Sequence, residues 1–281
     1  MRILITGASG FIGRKLTSLL CEQGHNVAII TRTLAVSFLN VKLLSSNLSD
    51  SKSEIIDFQP EVLFHLAGSS IYSKNSDDQK QLINDNVLFG TELLDILSST
   101  SLKKIINFNT SLAYKEDEIH PYSYYALTKT LFFDTLKFYC LNHNFVSFNL
   151  ILYNVYGKED KNKRALNFLL DSIDSELRVS MSPGEQKMDF IHVDDVLNLC
   201  LKTLDIDPNS MIEDVFVGTG IGYSLKEVAD FISFRLKKNV NVNFGGIPYR
   251  SNEKMINVAP IEKNRFWSSS ISFEEGLLSI L

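Results

Sequence analysis

The chain begins Met1-Arg-Ile-Leu-Ile-Thr-Gly-Ala-Ser-Gly-Phe-Ile-Gly13, an apolar stretch that runs directly into three glycines. The apolar residues predict a buried strand, and the pattern after the glycines predicts a helix. Gly7 allows a tight turn, Gly10 lets the backbone approach a pyrophosphate, and Gly13 lets the helix pack closely on the strand. The helix then presents unpaired N–H groups and its positive dipole end to the phosphates. This layout predicts a dinucleotide-binding βα unit.

Strands and helices alternate along most of the chain, which predicts an α/β fold: a Rossmann-like, doubly wound parallel sheet. The strands are nearly continuous apolar runs, as in a sheet that helices cover on both faces. We expect strands at about 2–6, 26–31, 40–45, 61–66, 103–109 and 146–153, and helices at about 11–23, 51–57, 79–100, 123–142 and 224–238.

Beyond a charged loop at 158–164 the alternation weakens, which indicates a smaller C-terminal α/β substrate-binding lobe. The segment Met188–Asp195 is expected to return to the main sheet, with a helix after it to about residue 204. We therefore expect a dinucleotide-binding domain formed by residues 1–157 and 189–211, and a substrate-binding lobe formed by residues 158–188 and 212–281.

Composition limits the classes of partner. The 281 residues are 44% hydrophobic, with a net charge of −5 and no basic stretch, which argues against a nucleic-acid partner. Cys21, Cys140 and Cys200 are odd in number and lack metal or redox spacing, so we expect buried reduced thiols, no metal site and a cytoplasmic protein. The first strand leaves no room for a signal peptide, and no apolar run is long enough to cross a bilayer, so we expect no membrane partner.

The end of the second strand indicates the cofactor. Folds that bind NAD usually carry Asp or Glu there, where the carboxylate binds the ribose hydroxyls. Here Arg32 follows the strand, and no acidic residue occurs between Glu22 and Asp50. An arginine can bind the 2′-phosphate of NADP(H), although it can also be a solvated residue that closes the strand. We therefore favour NADP(H) over NAD(H), and expect Asn47 and Leu48 to border the adenine.

Three further motifs accompany the glycine-rich turn: His65-Leu-Ala-Gly68, Asn109-Thr-Ser-Leu-Ala-Tyr114 and Tyr125-Ala-Leu-Thr-Lys129. Together they resemble the extended short-chain dehydrogenase/reductase family, whose members mostly modify nucleotide sugars. The resemblance covers nearly the whole chain and implies Thr110, Tyr125 and Lys129 as catalytic groups, with Ser111 as the alternative to Thr110. The expected cofactor-binding residues are Gly7, Gly10, Phe11, Ile12, Gly13, Arg32, Asn47, Leu48, Leu66, Ala67, Gly68, Tyr125, Lys129, Tyr153 and Val155.

The residue types of the second and third motifs suit proton transfer. Tyr125 and Lys129 are four residues apart and so share one helix face. A tyrosine with a pKa of about 10 is a poor acid–base group at neutral pH, and a nearby ammonium favours the phenolate. Thr110 would hydrogen-bond the reacting oxygen, Tyr125 would pass the proton, and Lys129 would hold the nicotinamide ribose. A Tyr and a Lys at this spacing are often only surface residues, so the interpretation depends on all the motifs together.

The substrate side departs from the family pattern. In Tyr153-Asn-Val-Tyr-Gly157 the resemblance implies that Asn154 contacts a substrate diphosphate. Ile151 and Met188 stand where the family often has phosphate-binding arginines, and Lys187 could compensate only if its loop shifts. Arg250 matches a further phosphate-binding arginine, although it can also be an exposed loop residue. The expected substrate-binding residues are Ser69, Asn86, Ser111, Asn154, Lys187, Arg250 and Glu253, while Asp189 and Asp194 are expected to tie the two lobes together.

The two residues after Thr110 narrow the choice of reaction. Related 4,6-dehydratases carry Asp-Glu there, whereas this chain has Ser111-Leu112, which argues against dehydration. Segments 184–196, 217–226 and 252–255 are similar to the nucleotide-sugar 4-ketoreductases that make deoxysugars, among them the CDP-abequose and paratose synthases and the dTDP-fucose-type reductases. The resemblance therefore implies NADPH-dependent reduction of the C4 ketone of a nucleotide-linked 4-keto-deoxyhexose, with CDP or dTDP favoured. Its product would feed a surface polysaccharide such as the O-antigen of lipopolysaccharide.

Two other functions remain open, together with the oligomeric state. One is a nucleotide-sugar epimerase with tightly bound NAD, although the acid expected at the second strand end is missing. The other is a non-catalytic NADP(H)-binding regulator on the same fold. The resemblance implies a homodimer through the helices at 79–100 and 123–142, unless their apolar residues only pack on the sheet. Those residues are Phe89, Leu93, Leu94, Leu131, Phe132 and Leu136.

Overall fold

The computed structural model describes residues 1–32, 38, 41–115, 118–162 and 164–281, and these form two compact units. Unit 1 consists of Met1–Leu152 and Asp194–Val215, and unit 2 of Tyr153–Val193 and Phe216–Leu281.

The strands are β1 Arg2–Thr6, β2 Asn26–Thr31, β3 Val41–Ser45, β4 Val62–His65, β5 Lys104–Thr110, β6 Tyr114–Lys115, β7 Glu118–Ile119, β8 Val146–Leu152, β9 Asn154–Tyr156, β10 Val179–Met181, β11 Lys187–His192, β12 Ile212–Val217, β13 Gly222–Tyr223, β14 Val242–Phe244 and β15 Ile256–Asn257. The helices are α1 Phe11–Glu22, α2 Leu48–Phe58, α3 Ser76–Ile83, α4 Phe89–Leu97, α5 Tyr124–His143, α6 Ala165–Asp171, α7 Val193–Asp205, α8 Leu225–Arg235 and α9 Phe273–Ile280. A π-helical turn, Asn84–Leu88, joins α3 to α4, and short 3₁₀ turns occupy Ser111–Ala113 and Ile261–Lys263.

The main sheet confirms the doubly wound α/β fold that the alternation predicts. In the described part of the chain it has seven strands in the order β12-β8-β5-β4-β1-β2-β3. The order reverses between β1 and β4, and ligands of open parallel sheets bind beyond the carboxyl ends of the strands at such a point. The glycine-rich turn after β1 and the segment after β4 both lie at that edge.

The central strands of the main sheet are buried on both faces because helices cover both sides of the sheet. Every residue of β4 and β5 is buried, and four of the five residues of β1 are buried. One face packs against α2, α4 and α5, where Leu4, Leu63, Leu93 and Phe132 belong to one apolar cluster.

Several element boundaries differ from expectation. The third strand begins at Val41, and residue 40 lies outside the described residues. The second helix begins at Leu48 rather than 51, because the Asn47 side chain accepts a hydrogen bond from the Ser49 N–H at 3.2 Å and caps it. The helix expected at 79–100 is α3, the π turn and α4 in succession.

The expectation that segment 188–195 returns to the main sheet is wrong. β11 pairs instead with β9, β13 and β15, all within unit 2. Because β9 and β11 pair with each other, unit 2 begins at Tyr153 and its first piece ends at Val193, a few residues from the expected boundaries. The core of unit 2 includes Leu169, Phe190, Ile232 and Leu277.

Asp189 has a structural role inside unit 2, rather than the expected role of tying the two lobes. It is fully buried, and its carboxylate accepts hydrogen bonds from the Thr219 N–H and hydroxyl, both at 2.8 Å. It also accepts from the N–H groups of Gly220 at 2.8 Å and Ala259 at 3.1 Å. One side chain therefore joins three segments of the unit.

In the part of the chain that the structure describes, no helix has the length and hydrophobicity required to cross a bilayer. The three cysteines are free thiols, with Cys140 and Cys200 buried and Cys21 half-buried.

Candidate active site

The glycine-rich turn is shaped so that larger residues do not fit. Gly7 has φ +73°, and a Cβ there would lie 2.7 Å from the Ala67 nitrogen. A Cβ on Gly13 would collide with the Gly7 carbonyl oxygen, so α1 approaches the turn closely. Gly10 is the N-cap residue of α1, and no side chain forms a capping hydrogen bond there. Phe11 and Ile12 lie in the first turn of this helix. The turn fits a dinucleotide pyrophosphate, as expected from its sequence.

The segment after β4 is tied to the end of β1 by two side chains. The Thr6 hydroxyl accepts a hydrogen bond from the Ala67 N–H at 3.1 Å and lies 3.0 Å from His65 Nδ1. Burial, together with the charge of Lys129, lowers the pKa of His65 to about 3, so its imidazole is neutral. These bonds hold Leu66 and Ala67 beside the glycine-rich turn and leave Gly68 exposed.

The residues expected around the adenosine divide into two kinds. Arg32 is exposed just after β2, and none of the described residues pairs with its guanidinium. Asn47 is exposed and caps α2, whereas Leu48 is buried in the core of unit 1. The Leu48 side chain therefore stabilises the fold, so only the backbone of Leu48 is left to border a ligand.

Thr110 ends β5 with its hydroxyl oxygen accepting a hydrogen bond from the Leu112 N–H at 3.3 Å. The hydroxyl proton has no acceptor among the described residues, so Thr110 can still donate to a ligand. Ser111 is buried, and no carboxylate occupies its position or the next one. The strand end can therefore hydrogen-bond an oxygen atom, but it cannot supply a carboxylate acid or base.

Tyr125 and Lys129 lie one turn apart in α5, which packs on β5 and on the 3₁₀ turn after it. Tyr125 is half-buried, whereas Lys129 is 5% exposed. Burial lowers the pKa of Lys129 to about 8. No carboxylate or hydrogen-bond acceptor among the described residues pairs with its ammonium. A buried cation without a counter-ion is costly for the fold, and such groups are concentrated at functional sites.

Asn86 is not the substrate contact that the sequence predicted, because its side chain is buried and fully engaged. Its Oδ1 accepts from the Ser69 N–H at 2.6 Å, and its Nδ2 donates to the Ser69 carbonyl and to the Thr128 hydroxyl, both at 2.9 Å. Thr128 lies between the two catalytic candidates of α5, and its hydroxyl also donates to the Tyr125 carbonyl at 2.8 Å. The π turn thus links the segment after β4 to α5. Sequence reasoning missed Thr128, whose role depends on this contact.

In unit 2, β9 carries two of the expected site residues, Asn154 and Val155, and Tyr153 directly precedes the strand. Tyr153 is half-buried, Val155 is buried, and the Asn154 Nδ2 donates to the Asp189 carbonyl at 2.9 Å. Asn154 also lines a small cleft between β9, the start of α6 and β11. Met188 and Arg164 line the same cleft.

The remaining basic candidates differ in how they are held. Lys187 is ion-paired with Glu227 of α8, so it does not compensate for the missing arginine at Met188. Arg250 is exposed, and its carbonyl accepts from the Glu253 N–H at 3.2 Å. Sequence reasoning missed Arg164, since it belongs to no motif, and only the fold brings it beside Met188.

Most of the apolar residues expected at a dimer surface are core residues of unit 1. Leu93, Leu94, Phe132 and Leu136 are at most 1% exposed and pack under the sheet. Leu131 is 40% exposed. The exposed apolar side chains of the same helices are Leu88, Leu127, Leu131, Phe138 and Leu141.

No group of three or more His, Cys, Asp or Glu side chains that could hold a metal ion occurs among the described residues.

Comparison with known proteins supports this assignment of the fold. The model of the NAD dependent epimerase/dehydratase family matches residues 3–216. CDP-abequose synthase of Salmonella muenchen is 28% identical over 100% of this chain and 97% of its own length. CDP-abequose synthase of Yersinia pseudotuberculosis is 27% identical over 91% of each chain. The structure of UDP-glucuronic acid 4-epimerase from Bacillus cereus, in complex with UDP-glucuronic acid and NAD, superposes with a TM-score of 0.87 at 21% identity, over 99% of this chain and 97% of its own.

Proposed function

Because this chain belongs to the NAD-dependent epimerase/dehydratase family, we propose that it is an NADPH-dependent reductase for the C4 ketone of a nucleotide-linked 4-keto-deoxyhexose. The observation that carries the proposal is the end of β2, where the exposed Arg32 stands in place of a carboxylate. A reductase must exchange its cofactor at each turnover, and a cationic strand end suits the 2′-phosphate of NADPH.

Two further observations support the same reaction. Full-length similarity to two CDP-abequose synthases agrees with the ketoreductase resemblance of segments 184–196, 217–226 and 252–255. Ser111 and Leu112 supply no carboxylate after Thr110, so the site lacks an acid–base pair for removing water from the sugar. We propose CDP or dTDP as the nucleotide and a surface polysaccharide as the destination of the product.

The residues of unit 1 suit their proposed roles. Thr110 donates a hydrogen bond to the ketone oxygen, and Tyr125 transfers the one proton that this oxygen needs as the carbonyl becomes an alcohol. Lys129 is still largely protonated at pH 7, and its charge favours the tyrosinate that remains after transfer. Reduced nicotinamide, when bound, supplies the hydride. His65 stays neutral beside this site, so it adds no competing charge.

A nucleotide-sugar epimerase is the second candidate, because a UDP-glucuronic acid 4-epimerase shares the fold along nearly the whole chain. The two candidates differ in the state of the cofactor. An epimerase would be purified with bound NAD and would turn over without added NADPH. The reductase would be purified without stoichiometric NAD and would consume NADPH.

The deciding experiment follows the loss of NADPH absorbance with 4-keto-6-deoxy and 4-keto-3,6-dideoxy sugars on CDP, dTDP, GDP and UDP. Oxidation with one nucleotide supports the reductase and identifies its substrate class. A Tyr125→Phe variant is the control, because it removes the proton donor without changing the bulk of the side chain. Absence of oxidation with every sugar, in protein that binds NADPH, would exclude the proposed reaction for this panel, and unchanged biological function of Tyr125→Phe would favour a regulator.

A further inference from the structure

The small cleft in unit 2 contains one cationic side chain among its described lining residues. It lies between the end of β9, the start of α6 and the middle of β11, and Arg164 lines it together with Asn154 and Met188. Its other lining side chains are apolar or neutral. An anion that enters this cleft would therefore meet the guanidinium of Arg164.

The Arg164 side chain is oriented but not fully used. Its Nη2 donates to the Asp160 carboxylate at 2.7 Å, and the Asp160 side chain is only 2% exposed. The Asp160 carboxylate also accepts the Asn162 N–H at 3.1 Å, so the acceptor itself is fixed. A guanidinium has five N–H donors. Among the described residues, only Asp160 accepts a hydrogen bond from the Arg164 guanidinium, and it accepts one. With its side chain 41% exposed, Arg164 can reach a ligand with the others.

Three lysines of unit 2 are paired with carboxylates outside the cleft. Lys187 pairs with Glu227, Lys226 pairs with Glu185, and Lys238 lies 3.5 Å from Asp174. The Glu227 carboxylate also accepts from the N-cap Ser224 of α8, so its pairing with Lys187 is part of the helix start. Lys187 would have to break that arrangement to reach the cleft.

We propose that Arg164 binds the diphosphate of the nucleotide-linked substrate and so replaces the phosphate contact that is missing at Met188. The inference rests on the proposed function, because a nucleoside diphosphate is the anion that such a substrate carries. A planar guanidinium fixed by a carboxylate on one edge presents its remaining edge to phosphate oxygens in a bidentate geometry. Met188 on the facing strand supplies an apolar wall and no charge.

The test exchanges the two residue types across the cleft. Wild type, Arg164→Met, Met188→Arg and the double variant are titrated calorimetrically with CDP, dTDP, GDP and UDP. Arg235→Met is the control, since Arg235 is an exposed arginine in the last turn of α8. We expect Arg164→Met to weaken binding of the preferred nucleotide roughly ten- to a hundredfold, the double variant to recover most of the loss, and Arg235→Met to bind like wild type.

Each outcome separates this inference from the function on which it rests. Wild type that binds no nucleoside diphosphate would overturn both. Unchanged binding by Arg164→Met would overturn the role of Arg164 and leave the ketoreductase intact. A loss that Met188→Arg fails to restore would show that the two positions do not serve one phosphate. With a ketosugar substrate, Arg164→Met should raise KM far more than it lowers kcat, because the diphosphate is remote from the reacting carbon.

Discussion

Two buried lysines of unit 1 show how one residue type can serve opposite purposes. Lys104 donates to the carbonyls of Thr203 at 3.0 Å and Ile206 at 2.6 Å, and pairs with Asp207 at 3.1 Å. Its charge is satisfied at the end of α7, where carbonyl groups lack helical partners. Lys129 is equally buried but has no such partners among the described residues. The contacts of Lys104 suit a role in stabilising the fold, and we propose that Lys129 is held for a bound ligand.

This contrast predicts opposite effects of the same substitution. The pKa of Lys129, about 8, lies below the value of about 10.4 of an unfolded lysine, so the unfolded state binds more protons between these values. Native stability therefore rises as pH increases from about 8 to about 10. We expect Lys129→Met to be more stable than wild type, with a free energy of unfolding about 1–3 kcal/mol larger at pH 7. This difference in unfolding free energy should narrow towards pH 10.

Lys104→Met is the matched control and should lose about 1–3 kcal/mol at both pH values, because it leaves buried carbonyls without a donor. Denaturant unfolding of the apo protein measures both variants. A Lys129→Met protein that is less stable than wild type at pH 7 would contradict the interpretation of Lys129 as an uncompensated charge.

Arg32 provides the second prediction at this scale. Replacing the exposed guanidinium with a carboxylate removes the partner of a 2′-phosphate and supplies a partner for ribose hydroxyls. We expect Arg32→Glu to weaken NADPH binding by about tenfold or more and to favour NADH, as measured by fluorescence titration with both cofactors. Lys103→Glu, an exposed site before β5 at the other end of the sheet, should leave the ratio unchanged. An unchanged ratio in Arg32→Glu would exclude Arg32 from cofactor selection.

At the scale of elements, the strands of the main sheet are predictable because each is a short apolar run bounded by turns. The pairing of β11 is not predictable, since a strand of six residues with three apolar side chains fits either sheet, and contacts with β9 and β15 decide between them. The pattern at 79–100 predicts one helix, because a π turn adds one residue to a turn without changing composition. The ion pair of Lys187 is not predictable from the sequence either, because its partner Glu227 is forty residues away in the chain.

The π turn predicts a link between stability and activity. Asn86→Ala would leave the Ser69 N–H and carbonyl without their partner and would release the Thr128 hydroxyl. We expect a loss of about 1–3 kcal/mol in unfolding free energy together with a fall in kcat, since α5 carries Tyr125. Asn84→Ala, at an exposed position of the same turn, should change neither quantity. Equal behaviour of the two variants in denaturation and turnover would exclude this linking role.

At the scale of the whole molecule, we propose that two copies associate through α5 and the π turn. Leu127 and Leu131 are exposed one turn apart on α5, and Leu88 is exposed in the π turn. A charge placed between such apolar side chains would be buried by association. Light scattering at micromolar concentration should therefore give a dimer for wild type and a monomer for Leu131→Glu. Leu177→Glu, at an 80% exposed site in unit 2, should remain dimeric. A monomeric wild type would contradict the proposal.

Asp189 should control the stability of unit 2. In Asp189→Asn, one carbonyl oxygen and an NH₂ group replace two acceptor oxygens, so either the Thr219 N–H or both the Gly220 and Ala259 N–H groups lose their acceptor. We expect a loss of about 2–4 kcal/mol, measured by denaturant unfolding with proteolysis to locate the cleavage sites in unit 2. Asp230→Asn, on the exposed face of α8, is the control. Cleavage confined to unit 1 would contradict this role.

The interleaving of the two units along the chain has a consequence for biosynthesis. Met1–Leu152 emerges from the ribosome first, but the sheet of unit 1 gains its edge strand β12 only after the whole first piece of unit 2 has been made. The folding of that piece is completed later still, because the Asp189 carboxylate gains its last hydrogen-bond donor only when Ala259 has been translated. A nascent chain stalled before that point would carry an unfinished unit 2 whose buried carboxylate lacks a donor and whose apolar strands are exposed. The protein should depend on chaperones most strongly while the segment between β12 and Ala259 is being translated.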